Sequence, residues 1–244
     1  MSEFMEKPKN DIAEDALERM SELTLFPGTL QEIVALSRAH FGWYTKHALR
    51  CIEYPWIIER CRALGQNVLD VGAGVSPIPI FLAERCGKEV VTVDYSTAKV
   101  KLDRIGVRNE WGFLDYAQIS DKIRSYNCDI AEFDAPARFD VVYSVSVIEH
   151  MPAEIRRKMI EVFGTVCAPN ADILFTVDLY GASTDLWNHD RGKPVESREA
   201  HGKLQDLIGE LENQGFKLEY LETLRRARAN APGDLAMLHA ARRA

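Results

Sequence analysis

The sequence predicts an α/β protein: a Rossmann-like, seven-stranded, mostly parallel sheet with helices on both faces, a C-terminal antiparallel hairpin and an N-terminal helical extension. Three observations predict it. Short β-branched and aliphatic runs (67–71, 89–94, 139–144 and 171–177) alternate with helix-length segments, the pattern of a parallel sheet covered on both faces. The first run, NVLDV, ends in a glycine turn. The last two strand-like runs, FKLEYLE (216–222) and DLAMLHA (234–240), have no helix between them, as an antiparallel pair requires.

Each element has its own signal. Ile12, Ala16, Leu17, Met20 and Leu23 fall on one helical face. Thr29 with Glu32 makes a capping box, with Leu30, Ile33, Val34 and Phe41 as the apolar stripe behind it and Gly42 as the stop. Pro55 reads as a first-turn proline opening a helix that Gly65 closes. A helix over 77–87 separates the first two strands, and Ser96 caps another to about Arg104. Residues 105–122 have no readable pattern; RSYN (124–127) is a brief strand. Pro152 starts a helix to about Cys167, and Leu204, Leu207, Ile208 and Leu211 make an amphipathic helix that stops at Gly215. Pro232-Gly233 then turns the final hairpin. The chain divides into a helical cap over 1–54 and a main domain over 55–244.

Composition narrows the function classes. Of the 244 residues, 46% are hydrophobic and 27% charged, enough core to exclude a disordered chain. No apolar run approaches the roughly 20 residues that cross a bilayer, and the N-terminus has no secretory pattern. The expected location is the cytoplasm. The net charge is −7, with −4 in residues 1–24 and +3 in residues 217–244. An acidic total argues against nucleic acid as a partner, and Arg225, Arg226 and Arg228 read as a solvated loop. The five cysteines are scattered, without a C-x-x-C, so neither a disulfide framework nor a zinc site is indicated. Edge strands and helix faces permit a homodimer.

The sharpest motif is Asp70-Val71-Gly72-Ala73-Gly74 at the end of the first strand, where open α/β sheets bind ligands. Gly72 and Gly74 let the backbone turn tightly and approach a ligand. The second strand ends in Asp94, 20 residues after Gly74, placed to accept hydrogen bonds from ribose hydroxyls. A dinucleotide fingerprint needs a third glycine at position 77, where Pro77 stands; proline also lacks an N–H for a pyrophosphate. Asp70 is unhelpful beside a pyrophosphate but suits a cationic ligand. S-adenosylmethionine, with its sulfonium and ammonium, fits these residues better than NAD.

On these residues, 67–178 resembles the class I S-adenosylmethionine-dependent methyltransferases, and the trailing hairpin resembles that family's ending. The resemblance implies methyl transfer to a small molecule or glycan, with S-adenosylhomocysteine as the product. It implies that LDVGAG (69–74) wraps the methionine portion, that Asp94 holds the ribose, and that Tyr95 packs near the adenine. Asp129 would bond the adenine amine, with Ile130 beside it; the bland reading of Asp129 is a solvated loop residue. FDVVYSVSVIEH (139–150) resembles the fourth motif, whose strand end, at Ser144, faces the transferring methyl. One departure is Ser76, where a third glycine is common, which would alter loop conformation.

His150, in Glu149-His150-Met151 after the fourth strand, is the candidate base for removing a hydroxyl proton. The alternative is that it lines the pocket or caps a helix. Glu149 orients it or pairs with an arginine. Asp140 reads as a strand-start residue and His239 as structural. The segment 178–199, with Asp178, Tyr180, Asp185, Trp187, His189 and Asp190, is long for a loop and reads as a lid or binding segment. Its acids and histidine show no tight ligand spacing, so no metal is assigned. Trp43 and Tyr44, at a helix break, are candidates for a cover over the acceptor. The acceptor is expected to be a hydroxyl. An amine acceptor, an RNA or protein substrate, and a non-catalytic binding module remain open alternatives.

Overall fold

The computed structural model describes residues 11–101, 111–190, 192–225 and 233–243. Three helices come first: α1 (Glu14–Ser21), α2 (Pro27–Phe41) and α3 (Arg50–Ala63). The stripe expected on α1 stops short, since the helix ends at Ser21 and Leu23 is 68% exposed; the side chain of Met20 lies outside the described residues. The expected capping box at Thr29 does not form. Pro27 occupies the first turn, Phe26 is the N-cap without a side-chain bond, and the Thr29 hydroxyl donates to Glu59 of α3. A proline pre-set for the first turn moves the helix start three residues upstream. Gly42 does stop α2, at φ 78° with its N–H on Arg38 O.

Pro55 does not open α3 but lies inside it. Its ring removes one helical hydrogen bond; burial of Cys51, Trp56, Ile57 and Ile58 offsets that, each large apolar side chain contributing roughly 1.5–3 kcal/mol. Position 54, the expected edge of the cap, is therefore mid-helix. Gly65 follows the helix end for a reason of contact: a Cβ there would lie 2.2 Å from Asp140 Cβ. Asp140 accepts the N–H groups of Gln66 and Asn67 at 2.8 and 2.9 Å, which anchors the start of the sheet's first strand.

The central sheet contains β1 (Asn67–Val71), β2 (Glu89–Asp94), β5 (Ile123–Asn127), β6 (Phe139–Val145), β7 (Cys167–Asp178), β10 (Lys217–Leu224) and β11 (Leu235–Ala241). Its order is β10-β11-β7-β6-β1-β2-β5. The five strands from β5 to β7 are parallel, and β11 runs antiparallel between β7 and β10. The last strand of the chain is thus interior and buried throughout, whereas β10 is the edge and alternates. Pro232 lies outside the described residues, as do Arg226 and Arg228.

Between these strands lie α4 (Ile78–Glu84), α5 (Ala153–Val166), α6 (Arg198–His201) and α7 (Leu204–Asn213). The helix expected from Ser96 is absent over 96–101. Lys99–Val100 (β3) instead pairs in parallel with Phe113–Leu114 (β4), and the Ser96 hydroxyl accepts the Ala98 N–H in a turn. Positions 102–104 of that expectation lie outside the described residues. The described residues of 178–199 include a ribbon of β8 (His189–Asp190) and β9 (Lys193–Pro194).

Alternation along the strands makes two cores. Val68, Tyr143 and Leu174 pack with Leu30, Ile33, Trp56 and Ile57 from the N-terminal helices. Leu69, Val142 and Ile173 pack with Phe163, Leu207 and Leu211 on the other face. Among the described residues, no helix is long and apolar enough to cross a membrane.

Candidate active site at the switch point

The chain's connections reverse direction at β1, between β2 and β6, so the crevice past their carboxyl ends is the expected ligand site. Two loops meet there. Gly72 has φ 80° and donates its N–H to Val93 O at 2.8 Å; a Cβ on it would lie 2.6 Å from a methyl of Val147, after β6. Conformation and close approach both demand glycine here. Gly74, at φ 51°, donates its N–H to Asp94 Oδ2 at 2.7 Å. The strand-end acid and the glycine turn thus form one unit.

Asp70 is 2% exposed, and its partner is Tyr143, directly across on β6, whose hydroxyl donates to Oδ2 at 2.7 Å. Burial lifts the Asp70 pKa to about 8; the Tyr143 bond opposes the rise and the nearby Asp94 charge adds to it. Burial also raises Asp94, offset by the amides of Gly74 and Tyr95. Tyr95 itself is 75% exposed at the rim. Asp129 accepts the Ala131 N–H at 2.9 Å as the cap of a short 3-10 turn over 130–132, with Ile130 buried beside it. Ser144 is fully buried, its hydroxyl donating to Val71 O at 2.8 Å, so its side chain ties β6 to β1.

The β6 exit carries His150. Its Nδ1 lies 2.5 Å from His189 O, and because a carbonyl only accepts, Nδ1 carries the proton and Nε2 is the basic nitrogen. The tie to His189 brings the 178–199 segment against the fourth-motif turn. There Tyr180, Trp187 and His189 form an aromatic group, with centroids 4.8 Å apart for Tyr180–Trp187 and Trp187–His189. Glu149 is buried; its Oε1 accepts the Asp178 N–H at 3.0 Å and its Oε2 has no hydrogen-bond partner among the described residues. Its pKa is raised well above the ordinary carboxylate range, first by burial and then by the Asp178 charge. Asp185 pairs with Arg198. Trp43 and Tyr44 are core residues, Tyr44 donating its hydroxyl to Arg50 O at 3.1 Å.

Several site residues carried no readable signal. Glu53 of α3, fully buried, accepts from Ser146 Oγ at 2.6 Å, Thr176 Oγ1 at 2.7 Å and Arg50 Nη1 at 2.7 Å. It thereby joins an N-terminal helix to the ends of β6 and β7, and Ser146 is held at φ 49°. A lone acid inside CIEYPWII was the one clue to Glu53. Tyr116, buried in a 3-10 turn over 116–118, bonds the glycine loop; nothing near it in sequence announces this.

The residues fit a cationic ligand better than a pyrophosphate. Three loop amides that could cradle phosphate are already bonded: Gly74 to Asp94, Ser76 to Tyr116 and Ile78 to Ser76 Oγ. Pro77 has none, and the Asp94 carboxylate stands at the end of β2 against the turn.

Comparison with known proteins agrees with this geometry. The family model described as "Methyltransferase domain" matches residues 68–170. The ubiquinone biosynthesis O-methyltransferase of Stutzerimonas stutzeri is 25% identical over 130 residues, 53% of this chain and 52% of that protein. Its counterpart in Pseudomonas paraeruginosa is 31% identical over 106 residues, 43% of this chain and 42% of that protein. The chain thus spans about half the length of the curated relatives it matches. The crystal structure of the Burkholderia thailandensis 1,6-didemethyltoxoflavin-N1-methyltransferase shares the fold, with a TM-score of 0.55 at 18% identity, covering 97% of this chain and 94% of that one. Residues 68–170 thus match a methyltransferase-domain model, and the sheet has the fold of a methyltransferase of known structure.

Proposed function

We propose that the protein transfers the methyl group of S-adenosylmethionine to a hydroxyl oxygen of a small-molecule or glycan acceptor. The observation that carries the cofactor half is the Gly74–Asp94 unit at the switch point. It offers a sharp backbone turn and a carboxylate, with amides already engaged. S-adenosylmethionine, when bound, supplies a methyl already activated by positive sulfur. In this reading Asp94 holds the ribose, Tyr95 and Ile130 flank the adenine and Asp129 bonds its amine. Asp70, Gly72 and Gly74 surround the methionine end, and Ser144 braces the strand end beneath it.

His150 supports the oxygen reading. With Nδ1–H fixed on His189 O, Nε2 can take the acceptor's proton as the oxygen attacks. The aromatic group of Tyr180, Trp187 and His189 borders the acceptor side, and Glu149 holds the backbone of Asp178 there. The matched relatives named as O-methyltransferases agree with an oxygen acceptor.

The test is titration calorimetry with S-adenosylmethionine, S-adenosylhomocysteine and NAD, on the wild type and on Asp94→Ala. Micromolar binding of both sulfur ligands and none of NAD is expected, with at least a tenfold loss in the variant. Silence from both sulfur ligands in folded protein overturns the reading.

A further inference from the structure

We infer that Tyr116 is a positioning residue for the cofactor loop, a brace that holds the backbone of Gly74 and Ser76 in place. The inference rests on the S-adenosylmethionine reading above.

Tyr116 is fully buried, and its hydroxyl has three backbone contacts, all in the glycine loop. It accepts the Ser76 N–H at 2.7 Å. It lies 3.0 Å from both Gly74 O and Ser76 O. A phenol has one proton to give and lone pairs to accept with, so the two carbonyls share its proton while the amide fills a lone pair. Gly74 is consequently gripped from both sides, N–H on Asp94 and C=O on Tyr116. That grip holds the φ of 51° at the residue whose backbone a ligand must approach.

The brace is itself anchored. The Tyr116 N–H donates to Ser125 Oγ at 2.9 Å, and Ser125 Oγ receives the Thr92 hydroxyl at 3.0 Å. Thr92 and Ser125 face each other across β2 and β5. The loop at the end of β1 is therefore referenced to the same two strands that carry Asp94 and Asn127. Ser76 has its amide consumed by the tyrosine and its hydroxyl by the Ile78 N–H. A phenylalanine would keep the ring in its core site and release three backbone groups of the loop.

The experiment is calorimetry with S-adenosylmethionine and S-adenosylhomocysteine on the wild type, Tyr116→Phe and Ser125→Ala, with a thermal melt of each. Tyr116→Phe is expected to weaken both ligands about tenfold, which is about 1.4 kcal/mol. Ser125→Ala, which keeps the Tyr116 hydroxyl but removes the Oγ that anchors the Tyr116 amide, is expected to weaken them by about threefold, a smaller share of the same effect. With an acceptor in hand, KM for the cofactor rises while kcat stays within about twofold, since a loosened loop loses binding shared by ground and transition states. A lower melting temperature with unchanged affinity in Tyr116→Phe makes the tyrosine structural and overturns the inference. Should that variant fail to fold, unchanged affinity in Ser125→Ala overturns it instead. Absence of binding by the wild type would sink the cofactor reading itself, a separate outcome.

Discussion

His150 illustrates how one hydrogen bond determines a residue's chemistry. A histidine at a strand exit has two nitrogens of equal standing until one is committed, and the His189 carbonyl commits Nδ1. The lone pair then belongs to Nε2, the geometry a general base needs. His150→Gln is expected to lower kcat by about 10²-fold or more while leaving S-adenosylmethionine affinity unchanged in calorimetry. Unaltered kcat across pH 6 to 9 would reduce the residue to pocket lining. Glu149, its neighbour, was expected to orient it or to pair with an arginine; its Oε1 instead holds the Asp178 amide.

Among the elements, α5 and α7 depend on a buried ion pair. Arg156 is 1% exposed and meets both oxygens of Glu210 at 2.8 Å, with its Nη1 also on His201 O at 3.0 Å. Removing one partner of such a pair leaves a charge without compensation and costs about 3–5 kcal/mol. Glu210→Ala is expected to lower the urea midpoint accordingly, and replacing both residues (Arg156→Met with Glu210→Leu) to recover much of the loss. Equal midpoints for Glu210→Ala and wild type would show the pair to be idle. The same scale explains the misread segments. A capping box, a helix-opening proline and a serine cap are local signals, and at Thr29, Pro55 and Ser96 tertiary partners overrode each one. Glu59 took the Thr29 hydroxyl, core burial carried α3 through Pro55, and β4 drew Lys99–Val100 into a strand.

The stability of the whole molecule is linked to its buried acids. Asp70 titrates near 8 in the folded chain against 3.8 in the open one, chiefly because burial penalises its charge. The folded state therefore binds the proton more tightly. Its contribution is fully present below about pH 4 and is lost as pH rises through about 8. Asp70→Asn, neutral at every pH, is expected to gain stability relative to wild type between pH 5 and pH 8. Urea unfolding of both proteins at the two values is the check, and a pH-independent difference contradicts it. On β7, Asp172 is held below its ordinary range: burial would raise it, but hydrogen bonds from His239 and Arg243 outweigh that. His239 is thus a structural partner of Asp172, as its strand position suggested.

What the sequence determined by itself was whatever periodicity and local chemistry encode. The strands at 67–71 and 89–94 were legible because buried parallel strands read as unbroken β-branched runs, and β10 because its residues alternate between two faces. Gly72, Gly74 and Asp94 were legible because a sharp turn at positive φ requires glycine and the acid that accepts its amide ends the next strand. Tertiary structure alone decided the rest. The Glu53 contacts to Ser146 and Thr176, and the Tyr116 contacts to Gly74 and Ser76, span 40 to 123 residues of chain. No local pattern records such contacts, since a buried hydroxyl or carboxylate takes whichever partner the packed strands bring within reach.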